Sequence, residues 1–217
     1  MKILFLVSGN GGTLKFIHQA ISVIGLDATI TAVLSDRVCG ATDYAKQNDI
    51  PSNIIKPWND KTNEVISIIK GYNPGIVVTN IHKILHPSIL TCCKAQFINL
   101  HYSLLPAFGG VIGFKTLEMA KDANTRIIGA TCHYVTDKVD GGKVIAQSAI
   151  PVNWNDNYDL IGNRIFQIAC ETILNGIMIV SNIEIGSSSP NGVLYSPQLL
   201  YDNSVFTDSF WNMIKTI

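Results

Sequence analysis

The chain has 217 residues, 47% of them hydrophobic and 15% charged, so it is long enough to bury a sizeable core and is expected to form one domain. Sixteen Lys and Arg offset sixteen Asp and Glu, and without a strongly basic run the charge pattern argues against nucleic acid or an anionic membrane as partner. Cys39, Cys92, Cys93, Cys132 and Cys170 form no CxxC pair, which points to a reduced, cytoplasmic protein.

The opening MKILFLVSGNGG imitates a signal peptide, with Lys2 ahead of an apolar run, but the run breaks at Ser8-Gly9, short of the roughly 7–15 residues of a signal core. It reads instead as a first strand, Lys2 to Val7. A helix with apolar positions at Leu14, Ile17, Ala20, Ile21 and Ile24 follows the loop Ser8-Gly9-Asn10-Gly11-Gly12-Thr13. Next come a strand (28–34), a helix (41–47), a short strand (52–55), a helix (62–72) and the strand GIVVT (75–79). Strands that are apolar throughout are covered on both faces, so the alternation predicts a doubly wound, mostly parallel sheet of α/β class.

Beyond it, FINLH from Phe97 is a strand, 113–121 a helix, and 127–135 and 143–152 two strands joined by TDKVDGG. A long helix over 158–180 contains Gln167, Glu171 and Asn175, which marks it as a core helix and not a membrane span. Cys92-Cys93 reads as small buried apolar side chains in a helical stretch. Residues 1–181 are thus expected to form the domain and 182–217 an appendage packing on it or on a partner subunit. A hairpin is expected near Ile183 to Tyr195, and an amphipathic turn in FTDSFWNMI.

Three motifs carry chemistry. A glycine loop that opens a helix aims backbone N–H groups and the helix dipole at one spot, an anion site. Gly9-Asn10-Gly11-Gly12-Thr13 matches neither GxGxxG nor GxxxxGK[ST], so a single phosphate or carboxylate suits it better than a dinucleotide; a glycine turn needed only for packing is the alternative. Asn99 and His101, two apart on a strand, share a face near the end where open α/β sheets bind ligands. They offer an amide and an imidazole to one oxygen, or else serve as a loop cap and a satisfied core histidine. Asp140, in the loop before Gly141-Gly142, supplies a carboxylate able to orient an imidazole, or a simple hairpin turn. His133 shares a face with Thr131 and Val135, opposite Cys132 and Tyr134, and no His, Cys and Asp spacing fits a metal site.

In this order and spacing, SGNGGTL, NLHYSLLP and VTDKVDGGKVIAQ resemble the folate-dependent formyltransferase family over roughly residues 1–180, most closely its branch acting on glycinamide ribonucleotide in purine synthesis. The resemblance implies a Rossmann-like formyltransferase fold and transfer of a formyl group from 10-formyltetrahydrofolate to a primary amine, with no metal. It implies a catalytic triad of Asn99, His101 and Asp140, and a phosphate loop of Asn10, Gly11, Gly12 and Thr13. The pterin is expected near segments 83–87 and 136–139, lined by Leu85 and Val139, and Glu171 is expected to receive the acceptor amine. Partners are then small-molecule substrates, with the chain a monomer or homodimer.

Two departures bear on the acceptor. After Pro106 the chain reads AFGGVIGFKTLEMA where the purine-pathway enzymes carry a polar loop with a histidine, and Gly12-Thr13 stands where the family often has Ser-Asn. N-formylation of a nucleotide-linked amino sugar is therefore kept as the alternative acceptor reading. Formylation of initiator tRNA ranks lower because this tail is short and not basic, and deformylation because a regulatory domain is expected ahead of the sheet. A non-catalytic nucleotide-binding module would require all three motifs to coincide by chance.

Overall fold

A computed structural model of the chain describes residues 1–187 and 192–216. The described residues divide into two compact units. The first comprises Met1–Ile98, Val135–Asp137 and the segment after Phe206; the second comprises Asn99–Tyr134 and Lys138–Phe206.

The first unit alternates strand and helix as its apolar pattern requires: β1 (Lys2–Val7), α1 (Gly12–Val23), β2 (Thr29–Ser35), α2 (Gly40–Gln47), β3 (Ser52–Ile54), α3 (Thr62–Tyr72), β4 (Ile76–Asn80), a short α4 (Pro87–Leu90) and β5 (Gln96–His101), whose last three residues belong to the second unit. The strand order is β3-β2-β1-β4-β5 and every neighbouring pair is parallel. Ile3, Leu4, Phe5 and Leu6 are all fully buried, as expected of a central strand covered on both faces. Val7 lies opposite Ser35 on β2 and Asn80 on β4, so the carboxyl ends of these three strands are level. Leu4, Leu6, Leu34, Val77 and Phe97 pack with Val65, Ile69 and Ile89 in one cluster.

Helix α1 starts at Gly12, two residues earlier than the apolar periodicity places it. Its N-cap Gly11 has φ 77, and a Cβ there would lie 2.8 Å from the Cα and Cβ of Ala41. Only glycine meets both demands. Helix α4 stops at Leu90, so Cys92 and Cys93 lie beyond it rather than in a helix, half-buried against the core.

The second unit holds α5 (Lys115–Asp122), β6 (Ile127–Tyr134), β7 (Val144–Pro151), α6 (Tyr158–Ser181) and β8 (Leu194–Ser196). Here the pairing is antiparallel, β6 with β7 and β7 with β8. The architecture is therefore α/β with a mostly parallel sheet. Asn157 caps α6 by accepting from the N–H groups of Asp159 and Leu160 at 2.8 and 3.2 Å. By length and composition α6 is apolar enough to cross a membrane, but 67% of its most apolar stretch is buried in the protein, which identifies a core helix. It packs closely because Gly176 faces Cys132, where a Cβ would come within 2.3 Å of the sulfur.

Of the described residues in 182–217, those through Phe206 belong to the second unit and α7 (Asp208–Thr216) belongs to the first. The hairpin expected near 183–195 includes residues 188–191, which lie outside the described residues, and the strand described in this stretch, β8, pairs with β7. In α7 the ring of Trp211 stacks on Phe16 of α1 at 5.2 Å and 5°, with Phe210 edge-on to both.

Candidate functional site

In the first unit, β1 delivers the glycine loop to the carboxyl edge of the sheet. Gly9, Gly11, Gly12 and Thr13 line a cavity of about 140 Å³ with Val7, Leu14, Asn80 and His82. No side chain caps the first turn of α1, so its leading N–H groups and the positive end of the helix face this cavity. Asn80 Oδ1 is buried there and lacks a hydrogen-bond partner, a state that costs free energy until something donates to it. The cavity therefore suits a ligand combining an anion with a hydroxyl or amine. Asn10 is exposed and Thr13 buried. Asn80 is a site residue that sequence reasoning missed, although a polar residue ending an apolar strand beside a glycine loop is a usable signal.

In the second unit, β5, β6 and two loops gather four polar side chains. Asp140 lies between two imidazoles, with Oδ2 3.4 Å from His101 Nδ1 and Oδ1 3.5 Å from His133 Nε2. Gly110 N–H donates to Oδ2 at 2.7 Å. Asp140 adopts a left-handed backbone, φ 49, as does Phe108 two residues before Gly110, φ 57. Such strain in non-glycine residues persists only where surroundings enforce it, and it concentrates at working sites. His101 Nε2 lies 3.1 Å from the Phe108 carbonyl, which only accepts, so Nε2 carries the proton and the neutral ring leaves Nδ1 bare toward Asp140. Asn99 Nδ2 lies 3.2 Å from His133 Nε2, and His133 Nδ1 2.9 Å from the Tyr134 carbonyl. The carbonyl only accepts, so His133 Nδ1 donates to it, and Nε2 accepts from the Asn99 amide.

The electrostatics follow from these contacts. Proximity to His133 leads in holding the Asp140 carboxyl below the usual carboxylate range, helped by Gly110 N–H and His101 and opposed by burial. Burial pulls His101 below its ordinary value, against the opposing influence of Asp140 and the Phe108 carbonyl. The site at neutral pH is therefore an ionised carboxylate beside a neutral imidazole, a pair suited to acid–base work.

A profile of the formyl transferase family matches residues 1–177. The chain belongs to the formyl transferase family. Phosphoribosylglycinamide formyltransferase of Escherichia coli K12 is 31% identical over 172 residues, 76% of this chain and 80% of that protein. The chloroplastic phosphoribosylglycinamide formyltransferase of Arabidopsis thaliana is 26% identical over 174 residues, 76% of this chain but only 60% of the plant protein. The chain thus spans about three fifths of its plant relative's length. Among solved structures, the phosphoribosylglycinamide formyltransferase of Coxiella burnetii superposes with a TM-score of 0.72 at 29% identity, covering 83% of this chain and 85% of that one.

The chain brings Asn99, His101 and Asp140 into one cluster, though not in the arrangement their spacing implies. Asn99 turns to His133 and His101 to Phe108, so the two donors engage different acceptors. His133, Phe108 and Gly110 were all missed as site residues. Alternation put His133 on a defined strand face, but which face meets Asp140 depends on pairing with β7 and on the loop between. Leu85 is 7% exposed and packs in the first unit's core, whereas Val139, in the second unit, is 54% exposed; of the two, only Val139 has an open side chain.

Glu171 is 5% exposed, and its carboxylate receives the hydroxyl of Tyr195 and a bond from Asn203. Burial raises its pKa to about 7 despite these partners. Tail residues Tyr195 and Asn203 thus engage the carboxylate expected to receive the acceptor amine. Among the described residues no group of three or more His, Cys, Asp or Glu could hold a metal.

Proposed function

We propose that this protein transfers the formyl group of 10-formyltetrahydrofolate to the primary amine of glycinamide ribonucleotide. The observation that carries the reading is the Asp140 carboxylate set beside a neutral His101, with Asn99 held by His133 in the same cluster. The amine attacks the formyl carbon, a C–N bond forms, and the carbonyl oxygen becomes an oxyanion. We assign the first oxyanion donor to His101 Nε2–H, which the formyl oxygen takes over from the Phe108 carbonyl, and the second to the Asn99 amide. Donors of this type are worth roughly 3 kcal/mol each.

The proton lost by the amine passes to His101 Nδ1, where Asp140 stabilises the cation, and from there to the departing folate nitrogen as its C–N bond breaks. The glycine loop, Asn10 to Thr13, takes the acceptor's phosphate, and Asn80 Oδ1 accepts from its ribose. The backbone around Leu85 is assigned to the pterin. The five unpaired cysteines and the small-molecule chemistry suit a cytoplasmic enzyme.

The test is a panel of amines offered with 10-formyltetrahydrofolate: glycinamide ribonucleotide, and uridine-, thymidine- and guanosine-diphosphate amino sugars. Formylation of the ribonucleotide above the sugars is expected. Folate deformylation without any acceptor product, or silence across the panel, overturns the reading.

A further inference from the structure

The carboxyl ends of β2, β1 and β4 are joined by one hydroxyl. Ser8, the residue that opens the glycine loop, donates from Oγ to Asp36 Oδ1 at 2.8 Å and accepts at the same oxygen from His82 N–H at 2.9 Å. Ser8 is 5% exposed and Asp36 7%, so neither bond is readily exchanged for water. Asp36 is itself anchored. Arg37 grips it through Nε at 3.0 Å and a terminal nitrogen at 2.7 Å, and Lys83 Nζ lies 3.8 Å from Oδ2. Burial pushes the Asp36 carboxyl up, but the bonds from Arg37 and Ser8 and the charges of Arg37 and Lys83 outweigh it and leave the pKa lowered.

We propose that Ser8, held by Asp36, is a positioning residue that couples the phosphate loop to the 81–85 segment, so that one hydroxyl sets both substrate subsites. The assignment of those two segments to acceptor and folate rests on the proposed function; the link between them rests on geometry alone. A serine hydroxyl has one proton to give. Given to a fixed carboxylate, that proton leaves the oxygen aimed at the His82 amide. A shift of Gly9–Thr13 on binding an anion therefore lengthens or shortens the bond to His82, and a shift at His82 is felt in the loop. Charge-assisted bonds of this kind are about twice as strong as neutral ones and more directional, which suits them to transmit small displacements.

The full chain is examined as Ser8→Ala, Ser8→Thr and Asp36→Asn. In the wild type, saturating glycinamide ribonucleotide changes the affinity for a formyl-folate analogue that cannot transfer its group, and the analogue changes ribonucleotide affinity by the same factor. In Ser8→Ala that factor falls to about one. The KM values of both substrates rise together by about three- to tenfold, the loss expected for one hydrogen bond, with kcat within about twofold. Ser8→Thr, which keeps the hydroxyl, restores coupling and both constants. Asp36→Asn, whose remaining oxygen still accepts from Ser8 and Arg37 Nε but which loses the negative charge and the bond from the Arg37 terminal nitrogen, gives a smaller change of the same kind and serves if Ser8→Ala does not fold.

Amide hydrogen exchange supplies a readout independent of activity. Segments 9–13 and 81–85 exchange faster together in Ser8→Ala and are protected again in Ser8→Thr. A rise in only one segment or one KM, or coupling that survives Ser8→Ala, overturns the proposal. Coupled exchange in a protein that transfers no formyl group overturns the proposed function and leaves the link intact.

Discussion

Replacing Asp140 by Asn isolates charge at the proposed catalytic cluster. Asparagine tolerates the left-handed backbone at this position, φ 49, and keeps an oxygen for the Gly110 N–H, so the loop is retained and the carboxylate alone is lost. The magnitude follows from the 3.4 Å separation of His101 Nδ1 and Asp140 Oδ2. Unit charges at that distance attract by about 5 kcal/mol at an effective dielectric constant near 20 and about 1 kcal/mol in water. With the Asp140 side chain 11% exposed, the loss should fall near 2–4 kcal/mol in the step that places positive charge on His101, or roughly 30- to 1,000-fold in kcat. Initial rates of formyl transfer at saturating substrates measure it.

The pH profile gives a second check with a definite sign. Burial leads in holding His101 below 6.5 while Asp140 raises it. Activity that needs the neutral ring is therefore lost as pH falls through that lowered value, and removing Asp140 moves the acid limb further down. A loss under about threefold, or an acid limb displaced upward, would refute the assignment of Asp140 as the partner of the imidazole.

Other substitutions probe separate parts. His133→Ala removes the acceptor that orients the Asn99 amide at 3.2 Å and should lower kcat by about five- to tenfold with little change in KM; equal rates would show that Asn99 holds its orientation unaided. Gly11→Ala forces a Cβ to within 2.8 Å of Ala41 at φ 77, so the KM for glycinamide ribonucleotide should rise while the pH profile of kcat stays put. An unchanged KM would leave the loop a purely structural turn. Glu171, raised from 4.5 to about 7 chiefly by burial, favours folding in its protonated form. Its contribution is complete below about pH 4.5 and is lost as pH rises through 7, a change of about 3 kcal/mol. Urea denaturation should show wild-type stability relative to Glu171→Gln falling by about that amount between those limits, and a flat difference would contradict the buried neutral carboxyl. Trp211→Ala removes the ring stacked on Phe16 and should cost about 3 kcal/mol in the same assay; a cost under about 1 kcal/mol would mean that α7 does not secure α1.

Much of the first unit was legible because its signals are local. The apolar runs at 2–7 and 75–79 and the helical spacing from Leu14 report burial directly, and the structure alternates strand and helix where they do. The boundary at Gly12 was harder, since the first turn of α1 carries glycines in place of apolar residues and its start is set by the contact of Gly11 with Ala41. The tail was legible only in part. FTDSFWNMI announces an amphipathic turn, but that it forms the helix α7 packed on α1 while residues 192–206 fasten to α6 through Tyr195, Tyr201 and Asn175 depends on pairings distant in sequence.

At the cluster around Asp140 the limit is of another kind. Residue types and strand alternation singled out Asn99, His101 and Asp140, but neither His133 nor the turn of Asn99 toward it. The stretch Ala107-Phe108-Gly109-Gly110 reads as an apolar loop whose side chains decide the acceptor, yet it meets the cluster through its backbone, with the Phe108 carbonyl on His101 and the Gly110 N–H on Asp140. Backbone atoms are common to every residue except for proline's missing N–H, so residue types alone do not disclose such contacts. What the sequence does carry is permission for the path: φ 57 at Phe108 and φ 80 at Gly110 are easy for glycine and strained for phenylalanine. The strain is tolerated because Phe108 packs against Ile128, Ile165 and their neighbours, so side-chain packing holds the carbonyl on the imidazole. That makes Phe108 a residue of the site through its main chain and of the core through its ring.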